Sequence, residues 1–359
     1  MRAAVCRAFG QDLVVEAVEL AEPQAGEVEV EIRACAICHS DIIYARGGWG
    51  GLLPAVYGHE AAGVVRRVGD GVRDLRPGDA VVVTLIRACG HCRACRRGRP
   101  VVCTGELPLD QRVVLRDAAG HPLVQGLRTA AFAERVLVHA SQLVPIPADM
   151  PFELAALLGC GVITGYGAAV HTAAIRPGET AVVVGAGGVG LNAIQGARIA
   201  GARMILALDP NPAKREAARL FGATAAFDPS DPAVVEEVRR HTAGGADHVL
   251  VTVGVEEAFR QALALVAKGG SIVWVGMPKS GAQLALDPGE IAGDGLRILG
   301  CKMGDVRIAD DIPVLIDLWR QGRLLLEPLI SGRYPLEGVN AAMAAVERGE
   351  ALRNVLLIG

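Results

Sequence analysis

The stretch AVVVGAGGVGLNAIQGARIAGARMILALD, residues 181–209, decides how this chain is organised. Its first four residues are an apolar run that predicts a buried parallel strand. Gly185, Gly187 and Gly190 follow in G-x-G-x-x-G spacing, with Gly188 and Val189 between them at the start of a helical pattern that runs to residue 200. A second apolar run, 204–208, predicts the next strand, and Asp209 stands at its end, 24 residues after Gly185. The glycines permit a tight turn, close approach of backbone to a pyrophosphate and close helix–strand packing. The first helical turn offers free N–H groups and a positive dipole end to the phosphates. Asp209 is placed to accept hydrogen bonds from an adenosine ribose. Among 45 glycines such a spacing also arises by chance; the strand, helix and acid in register separate it from an ordinary βα turn.

Working outward, 359 residues suffice for two domains with separate cores. Hydrophobic residues make up 51% and charged ones 21%, which excludes wholesale disorder. A net charge of −3 gives no general attraction to nucleic acid or anionic lipid. The opening MRAAVCRAFG has no long apolar core, so no signal peptide is expected, and no apolar run approaches membrane-spanning length. The expectation is a soluble cytoplasmic protein, in which nine cysteines point to metal before disulfides.

Up to about residue 160 the pattern is one of many short strands, among them 14–20, 28–32, 63–68 and 80–85, with further β-rich sequence over 131–147. This predicts a barrel-like β domain with insertions. Strand–helix alternation then dominates to about residue 303, with later parallel strands expected at 249–253, 271–275 and 297–300. The tail predicts amphipathic helices near 312–321 and 336–347 and a last strand at 354–358.

Two groups of residues carry chemistry in the first part. CGHCRACRRGRPVVC places Cys89, Cys92, Cys95 and Cys103 at spacings that suit a closed tetrahedral zinc site, one that stabilises a lobe. Arg93, Arg96, Arg97 and Arg99 raise a rival idea, a zinc ribbon gripping nucleic acid; the acidic balance of the chain and the cofactor stretch favour a solvated basic lobe. Cys38 in ACAICHSD, His59 in GHE and Cys160 in LLGCGVITGYG are scattered. One His and two Cys would leave a fourth tetrahedral position for water or substrate, but each Cys taken alone also reads as a small buried hydrophobe, and spacing does not join Cys160 to the others.

With CHSD, GHE, the cysteine run, GCGVITGYG and GAGGVG in this order, the chain resembles the zinc-dependent alcohol dehydrogenases of the medium-chain dehydrogenase/reductase superfamily over essentially its whole length. Residues 158–170 look most like the class III, glutathione-dependent formaldehyde dehydrogenase branch. The resemblance implies a two-domain α/β fold: a GroES-like β-barrel catalytic domain (1–160, with a structural-zinc lobe at about 85–110), a Rossmann doubly wound parallel sheet (161–302) and a return segment (303–359) completing the catalytic domain. It implies two zinc ions per chain and NAD. Cys38, His59 and Cys160 match the catalytic zinc ligands, Asp41 the carboxylate that orients the ligand histidine, and Glu60 a glutamate near the metal. Ser40 matches the hydroxyl that contacts the substrate oxygen. Thr164 and Val189 match nicotinamide-packing positions, with Val253, Val275 and Met277 also along the coenzyme. His39 and Arg353 match cations at the pyrophosphate, and Asp209 and Lys214 match residues at the ribose. Trp49, Leu85, Phe132 and Met277 match the substrate pocket, and their apolar character favours a hydrophobic or aromatic primary alcohol. The segment RILGCKM, residues 297–303, matches the strand through which family members pair edge to edge, so a homodimer is expected, with a tetramer as the alternative. Nucleic acid and membrane are not expected partners.

The chain departs from the family in two places. Ile43 stands where liver-type enzymes carry a relay histidine, so the proton passes either straight to water, the favoured reading, or through Tyr44. Residues 46–53 read RGGWGGLL without an acid, and Leu107 stands where class III enzymes carry an arginine for the glutathione adduct. Thiol-adduct oxidation is therefore the second reading, and a non-catalytic family member a third, which retention of Cys38, Ser40, His59 and Cys160 opposes.

Overall fold

A computed structural model describes all residues from Met1 to Gly359. Two compact units result, one of Met1–Gly161 with Arg307–Gly359 and the other of Val162–Val306. The chain re-enters the first unit at Arg307 rather than at Met303 as expected, because the turn Met303–Asp305 belongs to the second unit. There Gly304, at φ +70°, lies so close to the Ile163 carbonyl that a Cβ would stand 2.5 Å from its oxygen.

In the second unit six parallel strands lie in the order Ala225–Phe227, Met204–Leu208, Thr180–Val184, Ala246–Val251, Val266–Trp274 and Arg297–Gly300. Chain order reverses on either side of Thr180–Val184, which opens a crevice beyond its carboxyl end. Helices cover both faces, so Ala181 to Val184 are apolar throughout and buried. The glycine run leads into the helix Gly188–Ala200, which stops at Gly201 in the left-handed conformation.

The first unit holds a closed barrel of Arg2–Cys6, Val14–Leu20, Leu115–Asp117, Pro122–Gln125 and Ala55–Val56. Beside it a sheet runs Leu143–Pro145, Ala80–Val83, Glu60–Val68, Glu27–Ala36, Arg353–Leu357 and Ile330–Pro335, with Arg135–His139 also paired to Glu27–Ala36. Burial on both faces makes Glu27–Ala36 almost wholly enclosed, and its acids Glu27 and Glu29 are neutralised by Arg112, at 2.8 Å, and by Arg67 and Arg135. The last strand pairs Val355 with Ala36, fixing the tail beside the segment that leads to Cys38. No helix is long and apolar enough to cross a membrane.

The glycine loop supplies a test of this packing. At Gly190 a Cβ would fall 1.8 Å from the Gly185 carbonyl oxygen, whereas at Gly187 it would meet nothing within 4 Å. Gly190→Ala should destabilise the second unit by about 1–3 kcal/mol in denaturant melts. Gly187→Ala should cost less than about 1 kcal/mol. Equal stabilities for the two variants would contradict the described turn.

Candidate metal centres and coenzyme residues

The strand Glu27–Ala36 ends just before Cys38, whose extended backbone (φ −103°, ψ 149°) opens the helix His39–Ala45. Asp41, one turn on, folds back so that its Oδ2 accepts the Cys38 N–H at 3.1 Å. Its Oδ1 accepts the Gly58 N–H at 2.9 Å and faces His59 Nδ1 at 3.0 Å. Both side chains are completely buried. The carboxylate therefore keeps a proton on Nδ1 and turns Nε2 away from itself, so that Nε2 is the nitrogen that offers a lone pair once its own proton is lost. Gly58 is at φ +92°, and a Cβ there would stand 2.5 Å from the Phe132 amide nitrogen, so this position admits only glycine.

His59 Nε2 is buried without a hydrogen-bond partner, as is Glu60 Oε1. Ligand atoms of Cys38, His59, Glu60 and Cys160 all lie within 4.8 Å of one another. Cys160 arrives from the link between the helices Phe152–Leu157 and Gly161–Gly167. A cation answers both orphaned atoms, and two thiolates with one imidazole suit zinc. Hydrogen bonding from Cys160, with help from His59 and Arg353, holds the Cys38 thiol well below its ordinary range despite burial. Burial alone would depress the His59 imidazole, but the Asp41 carboxylate and Cys38 thiolate outweigh it and push it up to about 10.

The other cluster, Cys89, Cys92, Cys95 and Cys103, also has its ligand atoms within 4.8 Å. Amide N–H groups of Cys89, Cys92, Cys95 and Gly105 point at its sulfurs at 3.3–3.5 Å. Those of Cys95 and Thr104 pull the Cys92 thiol down to about 5, while burial lifts Cys95 to about 12. A complete set of four sulfurs leaves no place for substrate.

Ser40 is half-buried in the first turn of its helix and His39 is exposed beside it. Ile43 and Tyr44 are half-buried, the Tyr44 ring lying edge-on to Trp49 at 5.1 Å and stacked on Tyr57 at 6.0 Å. Leu85 is half-buried, and Met277 is 62% exposed. In the second unit Asp209 Oδ2 accepts the Ala186 N–H at 2.8 Å and Oδ1 that of Asn211 at 2.9 Å, which fastens the acid to the glycine loop. Val253 Cγ1 packs where a Cβ on Gly185 would lie, and Val189 and Val275 are half-buried nearby in sequence to the loop and strand ends. Thr164 Oγ1 contacts Met303 Sδ at 3.7 Å.

Residues 24–148 match the alcohol dehydrogenase GroES-like domain, and residues 188–321 match the zinc-binding dehydrogenase family. Geraniol dehydrogenase of Castellaniella defragrans is 37% identical over 99% of this chain and 97% of its own. An alcohol dehydrogenase class-3 of Myxine glutinosa is 34% identical, with the same coverage. The structure of benzyl alcohol dehydrogenase from Acinetobacter calcoaceticus, 30% identical, covers 100% of this chain and 99% of its own at a TM-score of 0.94. The chain belongs to the zinc-dependent medium-chain alcohol dehydrogenases.

In this alcohol dehydrogenase three of the expected site positions have well-defined surroundings. Phe132, expected in the substrate pocket, is fully buried in the core, its amide donating to the Tyr57 carbonyl at 2.8 Å. Arg353, expected at the pyrophosphate, is 6% exposed and ion-paired with Glu60. Beside Asp209, whose expected neighbour at the ribose is Lys214, Arg215 donates to the Asp209 main-chain carbonyl at 2.7 Å. Nothing in the sequence singled out Arg215; for the Arg353 pair the only hint was a buried-type GHE acid in need of a cation.

Zinc uptake must displace protons from this centre. In chelator-treated protein at pH 7, the ion entering the open cluster should release protons, that of His59 among them. Because the His59 proton competes below about pH 10, apparent affinity should fall as pH falls. Asp41→Asn should weaken that affinity roughly 10- to 100-fold and reduce the proton release. An indicator-dye titration showing unchanged release would contradict the role given to Asp41.

Proposed function

We propose that this zinc-dependent alcohol dehydrogenase acts on hydrophobic or aromatic primary alcohols with NAD as hydride acceptor, reversibly giving the aldehyde. The buried, partnerless His59 Nε2 between two cysteine sulfurs carries the reading. Zinc bound there would supply a Lewis acid that makes an alcohol oxygen acidic near neutral pH, and a bound nicotinamide would supply the hydride acceptor. The chain's own part is then to hold ligands, coenzyme and alcohol in register. Asp41 keeps the His59 lone pair aimed. Ser40 is the group we assign to take the alcohol proton. We assign passage of that proton to water rather than through the phenol of Tyr44, whose ring packs on Trp49 and Tyr57.

Trp49, Leu85, Phe132 and Met277 are the apolar candidates for the alcohol, and the names geraniol dehydrogenase and benzyl alcohol dehydrogenase among relatives favour the same substrate class. The class-3 relative keeps a thiol-adduct reading in play, which a requirement for glutathione in turnover would favour. We also read the protein as cytoplasmic and as a homodimer, with a tetramer as the alternative, formed through the terminal strand Arg297–Gly300 of its sheet.

Asp209 would repel a ribose 2′-phosphate, so NAD should be preferred by roughly 2–4 kcal/mol, on the order of 30- to 1000-fold in efficiency. Ser40→Ala should cost roughly 10²–10⁴-fold in kcat, and Tyr44→Phe little. A panel of benzyl alcohol, geraniol and polyols with both coenzymes, with and without glutathione, checks the reading. Comparable efficiency with NADP, a glutathione requirement, or a Tyr44→Phe loss equal to that of Ser40→Ala would each overturn the corresponding part.

A further inference from the structure

Arg87 stands two residues before the first cysteine of the lobe and is only 4% exposed. Its guanidinium donates from Nε to Gln142 Oε1 at 2.8 Å and from Nη1 to Asp110 Oδ1 at 2.7 Å. From Nη2 it donates to Gln125 Oε1 at 2.9 Å and to the Arg128 carbonyl at 2.7 Å. Asp110 follows the last lobe cysteine by seven residues, so this ion pair closes the base of the lobe.

The Arg128 carbonyl leads elsewhere. Leu127, Arg128 and Ala130 have φ of +52°, +59° and +61°, a left-handed bend that side chains disfavour and that surrounding contacts must hold. Arg87 and the Gln142 amide, at 3.1 Å, both donate into the middle of that bend. Directly after it, the Ala131 and Phe132 N–H groups donate to the carbonyls of Gly58 and Tyr57, each at 2.8 Å. Those two residues immediately precede His59, and the Gly58 N–H is itself fixed on Asp41. A continuous set of hydrogen bonds and rigid backbone thus runs from the lobe base to the imidazole.

We propose that Arg87 is a positioning residue which, from the base of the cysteine lobe, holds the backbone that aims His59 into the open metal site. The proposal rests on reading Cys38, His59 and Cys160 as that site. Only a planar guanidinium, with five N–H donors in a fixed fork, reaches four acceptors lying in different directions; a lysine ammonium concentrates its donors at one point. Arg87 touches neither cluster, so its effect on the open site passes through the backbone at 57–58.

Zinc release to a chromogenic chelator, followed in Arg87→Met, Arg87→Lys and Asp110→Asn, tests this. Each is measured alone and combined with Cys160→Ser, whose background keeps only the lobe ion, so subtraction assigns the open-site ion. Wild type should hold two ions. Arg87→Met should release the open-site ion roughly tenfold faster, a loss typical of an outer partner to a ligand, with Arg87→Lys intermediate. Asp110→Asn, which leaves the other three acceptors in place, should hasten the lobe ion alone. If Arg87→Met does not fold, Arg87→Lys decides. Unchanged open-site release in a protein that holds two ions overturns the inference while leaving the metal reading intact. A wild type that holds only the lobe ion overturns both.

Discussion

The Asp41 carboxylate is the constraint on which the catalytic unit depends. It is completely buried, yet it receives three N–H groups, from the backbone of Cys38 and Gly58 and from the His59 ring. Each donor, left unpaired in that dry interior, would cost about 1–3 kcal/mol. The carboxylate therefore locks the start of the helix His39–Ala45 against residues 57–60 and sets the tautomer of the ligand histidine in one stroke. Gly58 is glycine because the chain passes there against the Phe132 amide.

Around that lock the unit gathers more unlike charge than a hydrophobic core tolerates: two thiols, an imidazole, Asp41, Glu60 and Arg353. Buried charges are costly unless paired, and here the pairing stops short, with His59 Nε2 and Glu60 Oε1 unsatisfied. A divalent cation resolves the imbalance. The same property makes the site reactive, since three protein ligands from Cys and His leave a position for an oxygen. The cysteine lobe contrasts with it: four sulfurs and their amide donors complete a shell that has no further capacity.

Features that depend on nearby residues were legible in the sequence. The glycine loop with its strand, helix and Asp209, and the spacing of the four lobe cysteines, are set within a few turns of chain, so pattern and chemistry agree without knowledge of the fold. Strand ends were less legible: the strand expected at 63–68 begins at Glu60, because its pairing with Glu27–Ala36 continues as far as the Ala36–Glu60 pair, one residue after the ligand histidine. Convergence from distant segments was not legible at all. Cys160 could be joined to Cys38 and His59 only through family resemblance, and the Arg353–Glu60 pair spans 293 residues. The packing of Phe132 against Gly58 was likewise hidden, since the two lie 74 residues apart. The left-handed bend at 127–130, with no glycine inside it, is held by partners from two separate stretches, at Arg87 and Gln142.

The most direct test of an open zinc site organised by Asp41 is anomalous diffraction at the zinc edge from crystals of the catalytically active protein. Two peaks are expected per chain: one inside the four-cysteine lobe, and one at about 2.0–2.3 Å from the sulfurs of Cys38 and Cys160 and from His59 Nε2. A single peak, in the lobe, from protein that still oxidises alcohol would contradict the account.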